Sequence, residues 1–127
     1  MKKKFSDRIK YFKNVKRGLV LSIEALIGKT NTKKLMSAIY GNNQMSLKER
    51  QTFYNAMVEK GGTYVSKYKA LNIYQIVPCE YSSNVEDLLS RIDDCNLNIT
   101  KLRNGEWVEL QEDYLPENID IEEPLYM

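Results

Sequence analysis

The chain contains no histidine. Proton transfer near neutral pH would therefore fall to an Asp, Glu, Lys, Tyr or Cys of displaced pKa. The adjacent carboxylates Glu86-Asp87 and Asp93-Asp94 point in different directions on a helix, so neither forms a ready acid/base pair. They read as helix-end charges, those near residue 86 favouring a helix N-terminus. Cys79, after Pro78 at the end of a predicted strand, could be a nucleophile, but no sequence neighbour would lower its pKa. Cys79 and Cys95 form no CxxC, and without histidine they cannot build an ordinary zinc site. Both are expected as reduced thiols. Ile27-Gly28-Lys29-Thr30 resembles the end of a phosphate-binding loop, but the required glycine five residues earlier is Ile23. The reading is a non-enzyme with no catalytic, cofactor-binding or metal-binding residues.

Binding chemistry has more to offer. Residues 1–34 hold eleven Lys/Arg against Asp7 and Glu24, for +9; residues 35–103 carry +1; residues 104–127 hold eight acids and no base, for −8. Such a split concerns partners and steering more than fold. At the basic end, Phe5, Ile9, Phe12, Lys16, Leu19, Ile23 and Leu26 recur at helical spacing, with Lys16 the single polar residue in the stripe. Arg8, Lys13 and Arg17 flank it. An amphipathic helix of this kind can lie in a partner's groove, pair with a second copy, rest on an anionic membrane or grip phosphates. The proposed partner-binding set is Phe5, Arg8, Ile9, Phe12, Lys13, Lys16 and Arg17. At the acidic end Ile119, Ile121, Leu125 and Tyr126 alternate with carboxylates and form a second contact or latch, able to add to a sheet edge or to mimic a polyanion. Stacking aromatics among bases, at Tyr11 and Tyr68, are a weak pattern, because strand geometry puts Lys67 and Lys69 on the face opposite Tyr68.

The elements that position these residues follow from caps and periods. A helix is expected over about 5–27, with Ser6 as a cap, a weak point at Gly18 and a stop at Gly28. Asn31 or Thr32 would cap a short helix from Lys33 to Tyr40, which Gly41 ends. Ser46-Leu-Lys-Glu49 is a capping box opening a helix to about Lys60, closed by Gly61-Gly62. Tyr64 to Val77 alternates with period two and both faces are apolar, which suits an interior strand ended by Pro78. Ser83-Asn-Val-Glu86 is a second capping box, for a helix to about Asp94. Leu97 and Ile99 then open a strand that turns at Asn104-Gly105 and returns through Trp107-Val108-Glu109-Leu110, a hairpin signal.

The fold class is thus α+β: three N-terminal helices, then a small, mostly antiparallel sheet built from a strand, a helix and a β-hairpin. Residues 1–115 form one domain and 116–127 an extended acidic tail. No run reaches the roughly 18 apolar residues of a membrane span, and no signal peptide is evident, so a cytoplasmic location is expected. Lys, Asn, Ile and Tyr supply 44 of 127 residues. All four have AT-rich codons, which points to a low-GC bacterium or its phage. The functional expectation is an adaptor or modulator, phage- or mobile-element-encoded, with a protein partner or self-association foremost, nucleic acid next and membrane last. The alternatives are a virion-like assembly subunit and a nucleic-acid-binding regulator.

Overall fold

A computed structural model of the chain describes residues 5–41, 44–59, 61–65 and 70–109. Lys2 to Lys4, Tyr68, and the acidic segment with Ile119, Ile121, Leu125 and Tyr126 lie outside the described residues. Three helices, α1 (Ser6–Ile27), α2 (Lys29–Tyr40) and α3 (Leu47–Val58), precede a two-stranded antiparallel sheet of β1 (Thr63–Val65) and β2 (Ala70–Asn72). Two 3₁₀ turns lead into a last long helix, α4 (Ser82–Arg103). The α+β class and the three leading helices agree with the sequence reading.

The first helix runs unbroken through Gly18, whose intrinsic penalty of about 1 kcal/mol is outweighed by packing along the helix. Its N-cap is Phe5, and Ser6 makes no capping bond. Gly28, at φ +87°, turns the chain straight into α2, in a conformation that side chains resist. The expected caps Asn31 and Thr32 fall inside α2 instead, bonding back to the carbonyls of Ile27 and Gly28. The Ser46/Glu49 capping box forms as read, with both reciprocal hydrogen bonds. Gly62 at φ +55° sits under the Tyr74 ring, which a Cβ there would meet at 2.6 Å. No other residue fits that turn without displacing the ring.

Three expectations need correction. The strand over Tyr64 to Val77 is two short strands with Tyr64 opposite Leu71, and Thr63 and Val65 face outward. Asn72 ends the second strand by accepting from the Tyr74 N–H at 3.0 Å, a local side-chain bond that competes with the ladder. The predicted box at Ser83–Glu86 does not form; the N-cap is Tyr81, two residues earlier, and it has no side-chain cap. The hairpin at 97–110 is also absent, because α4 continues to Arg103. Val85, Leu89, Ile92, Cys95, Ile99 and Leu102 are all buried on one side of it, at helical spacing beyond the point where a strand was expected. Asn104-Gly105 is the helix stop: the Gly105 N–H donates to Leu102, the Glu106 N–H donates to Lys101, and Gly105 takes φ +88°. That is the Schellman arrangement.

Two apolar clusters hold the elements together. The larger one collects Ile23 and Ile27 of α1, Leu35 and Ile39 of α2, Phe53 and Met57 of α3, Tyr64 of β1 and Leu89 and Ile92 of α4. The second lies between the start of α1 and the end of α4, where Phe5, Tyr11 and Phe12 meet Cys95, Ile99 and Leu102.

Candidate functional site

Asp93 stands at the junction of α2, α3 and α4. Its carboxylate accepts from the Tyr40 hydroxyl at 2.5 Å, the Tyr54 hydroxyl at 2.6 Å and Arg50 Nη1 at 2.9 Å. The Arg50 guanidinium also lies 4.9 Å from the centre of the Tyr40 ring. The two charged side chains are only 10% and 16% exposed, so this pair feels little solvent screening. Burial first, then the Asp93 carboxylate for Tyr40 and the neighbouring Tyr40 followed by Asp93 for Tyr54, drives both tyrosines well above the ordinary phenol range, so they remain hydrogen-bond donors. With three donors on it, Asp93 is a joint between helices and is poorly placed to act as a base. One edge of the joint is incomplete: Arg50 Nε is buried and has no hydrogen-bond partner among the described residues.

Beside this joint opens a cleft of about 340 Å³. Lys13 and Lys16 line it from α1, Gln44 from the segment before α3, Leu47 and Arg50 from α3, and Asp93, Asn96, Leu97, Thr100 and Arg103 from α4. Among the described residues the lining thus carries four cations and one carboxylate, and one of those cations, Arg50, is already paired with that carboxylate. Lys16 is 8% exposed, and burial lowers its ammonium pKa, with Arg103 and Lys13 pressing the same way while Cys95 and Asp93 oppose. Leu47, 77% exposed, and Leu97, 54% exposed, add apolar surface to the lining, and among the described residues no aromatic contributes.

The predicted partner-binding residues divide between two places. Phe5 and Phe12 are buried and Ile9 packs partly buried beside them, all against α4. The stripe expected to meet a partner meets the chain's own last helix instead, because α4 is long enough to cover it. Arg8 lies 3.8 Å over the Trp107 ring, and Phe5 touches the same ring edge-on. Arg17 is half-buried, its Nε without a hydrogen-bond partner among the described residues. Only Lys13 and Lys16 of the set line the cleft.

Arg50, Tyr40, Tyr54 and Arg103 were missed in the sequence, though one signal was available, and Asp93, read there as a helix-end charge, lies mid-helix because α4 runs on to Arg103. Arg50 falls in register with Phe53, Tyr54 and Met57, the apolar face of α3, and a charge in such a register is seldom buried without a partner. Cys95 is buried and its thiol is pushed up to about 11, mainly by desolvation. Cys79 is exposed and free. Among the described residues no group of carboxylates and cysteines could hold a metal ion, and no helix is long and apolar enough to cross a membrane. Comparison with protein-family models, curated proteins and solved structures gives no match for this chain.

Proposed function

We propose that the protein is a binding module that docks an acidic, apolar-punctuated segment of a protein partner in the cleft between α1, α3 and α4. The supporting observation is the convergence of Lys13, Lys16 and Arg103 on one cavity whose one carboxylate among the described residues, Asp93, is already bonded by Arg50, Tyr40 and Tyr54. The apolar stripe of α1 belongs to the core in this reading, and its basic side supplies the contact. A peptide is favoured over nucleic acid by the lining: Leu47 and Leu97 offer exposed aliphatic surface, whereas stacking a base requires a ring, and none lines the cleft among the described residues. Catalysis has no place in the proposal, since the Asp93 carboxylate is engaged by Arg50, Tyr40 and Tyr54.

Fluorescence anisotropy tests it directly. The probes are a labelled peptide of about twelve residues alternating Glu and Leu, an all-Glu peptide of equal charge and a single-stranded oligonucleotide. The alternating peptide should bind tightest, and Lys16→Met combined with Arg103→Gln should weaken it about tenfold, the effect of 1.4 kcal/mol. Equal or tighter binding of the oligonucleotide, or affinities that ignore both substitutions, would count against the proposal.

A further inference from the structure

The side of α1 turned away from the cleft carries a second surface. We propose that it pairs two copies of this chain about a two-fold axis, the α1 of each lying over the groove between α1 and α4 of the other. From Tyr11 to Ile27 the charged residues of α1 are Lys13, Lys16, Arg17 and Glu24. At about 100° per residue they share one side, and the arc from Leu21 through Gly18 and Val15 to Leu19 spans about 160° without a charge. Gly18, Ser22 and Ala25 on this arc are exposed, and Leu21 is 47% exposed. In a chain with 28% charged residues, an uncharged arc of that width facing solvent marks an interaction surface.

The groove beside this arc has a volume of about 390 Å³. Phe12, Val15 and Leu19 of α1 and Cys95 of α4 form its apolar wall, while Arg91 and Asp94 of α4 supply its charges. Arg91 is taken by Asp87 at 3.2 Å, whereas Asp94 makes no ion pair among the described residues.

The surface fits a second copy because it carries both halves of one contact. Arg17 borders the uncharged arc. Among the described residues it makes no ion pair, and its buried Nε has no hydrogen-bond partner. Helices α1 and α4 run antiparallel, since Phe5 and Phe12 cluster with Cys95 and Leu102 while Ile23 and Ile27 cluster with Val85 and Leu89. With two α1 helices antiparallel about an axis near Val15, Arg17 of each copy comes beside the partner's Asp94. Leu21 then lies at the end of the opposite groove. A two-fold axis uses each contact twice, so the charge complementarity is that of a self-matching patch. The cleft lies on the other side of α1 and stays open, so peptide binding and pairing are independent.

Sedimentation velocity of the full-length chain under reducing conditions tests the pairing. The mass should rise from the 14.8 kDa of one chain towards twice that value, with a Kd on the order of 10 µM, as suits a small interface. Arg17→Glu and Asp94→Arg each bring like charges together at two symmetry-related contacts and should weaken pairing about tenfold, whereas the double reversal should restore it to within about twofold. Leu21→Gln leaves the charges intact and should also weaken it. Melting followed by circular dichroism establishes that each variant is folded; Asp94 and Leu21 are exposed, so their variants carry the test even if Arg17→Glu unfolds. A chain that stays monomeric up to about 200 µM would overturn the proposal and leave the face to a different protein. Pairing that ignores these substitutions, or that the double reversal fails to restore, would overturn it too.

Discussion

Replacing Asp93 by alanine should be among the most damaging single changes in this protein. The substitution removes the acceptor of three hydrogen bonds and the counter-charge of Arg50, whose side chain is 10% exposed. Breaking a buried pair from one side costs about 3–5 kcal/mol, because the surviving charge is left uncompensated. The two tyrosine hydroxyls, 53 and 39 residues away in sequence, lose their common partner in the same step. For a chain of this length the unfolding entropy is on the order of 0.27 kcal/mol/K, so the melting temperature should fall by about 10–20 °C. The assay is thermal unfolding followed by circular dichroism at pH 7, on Asp93→Ala, Arg50→Met and the double variant. The double variant should be more stable than Asp93→Ala alone, since it no longer buries a bare guanidinium. A fall of under about 3 °C for Asp93→Ala, or a double variant that is simply the sum of the singles, would refute the claim that this joint holds α2 and α3 to α4.

Further outcomes follow from individual contacts. Because Tyr40 and Tyr54 have folded pKa values above the ordinary phenol value, their contribution is complete below about pH 10 and is lost as the pH rises beyond it; the paired Phe variants should flatten that alkaline loss in a pH-dependent melting series. The Lys16 pKa is lowered in the folded state, so its charge opposes folding at low pH and is relieved as the pH climbs towards the ordinary lysine value. Lys16→Met should accordingly leave the melting temperature unchanged or raise it by a few degrees, even as it weakens probe binding. Gly105→Ala, forced into φ +88° at the end of α4, should cost about 1 kcal/mol, a loss of roughly 4 °C by calorimetry. In a thiol-titration time course at pH 8, Cys79 should react at once and Cys95 only on unfolding, since Cys95 is buried with its pKa raised to about 11.

What could be read in the sequence divides along the line between local and tertiary causes. The Ser46/Glu49 box is a local device, and it formed where its spacing placed it. The helix over about 5–27 was legible because seven positions keep one period. The segment from Ile92 to Leu110 misled because two signals compete there. Asn-Gly is a hairpin turn only when strands flank it, and the same pair is equally suited to ending a helix through a positive φ at Gly105. Reading Val85, Leu89 and Ile92 onward to Cys95, Ile99 and Leu102 would have settled the matter for the helix. The partner of the α1 stripe was then hidden, since only a 22-residue α4 is long enough to cover Phe5 and Phe12. The cleft was the least legible feature, because Lys16, Arg50 and Arg103 come from three distant stretches and meet only through that packing.

The claim on which the functional account depends is that the cleft between α1, α3 and α4 receives an acidic segment. The most direct measurement is an amide and side-chain chemical-shift titration of the full-length chain, with the alternating Glu/Leu peptide as ligand. Saturable shifts confined to Lys13, Lys16, Arg50, Asn96, Thr100 and Arg103, and absent from Thr63 to Asn72, are the predicted result. Shifts centred anywhere else, or none at millimolar peptide, would contradict it.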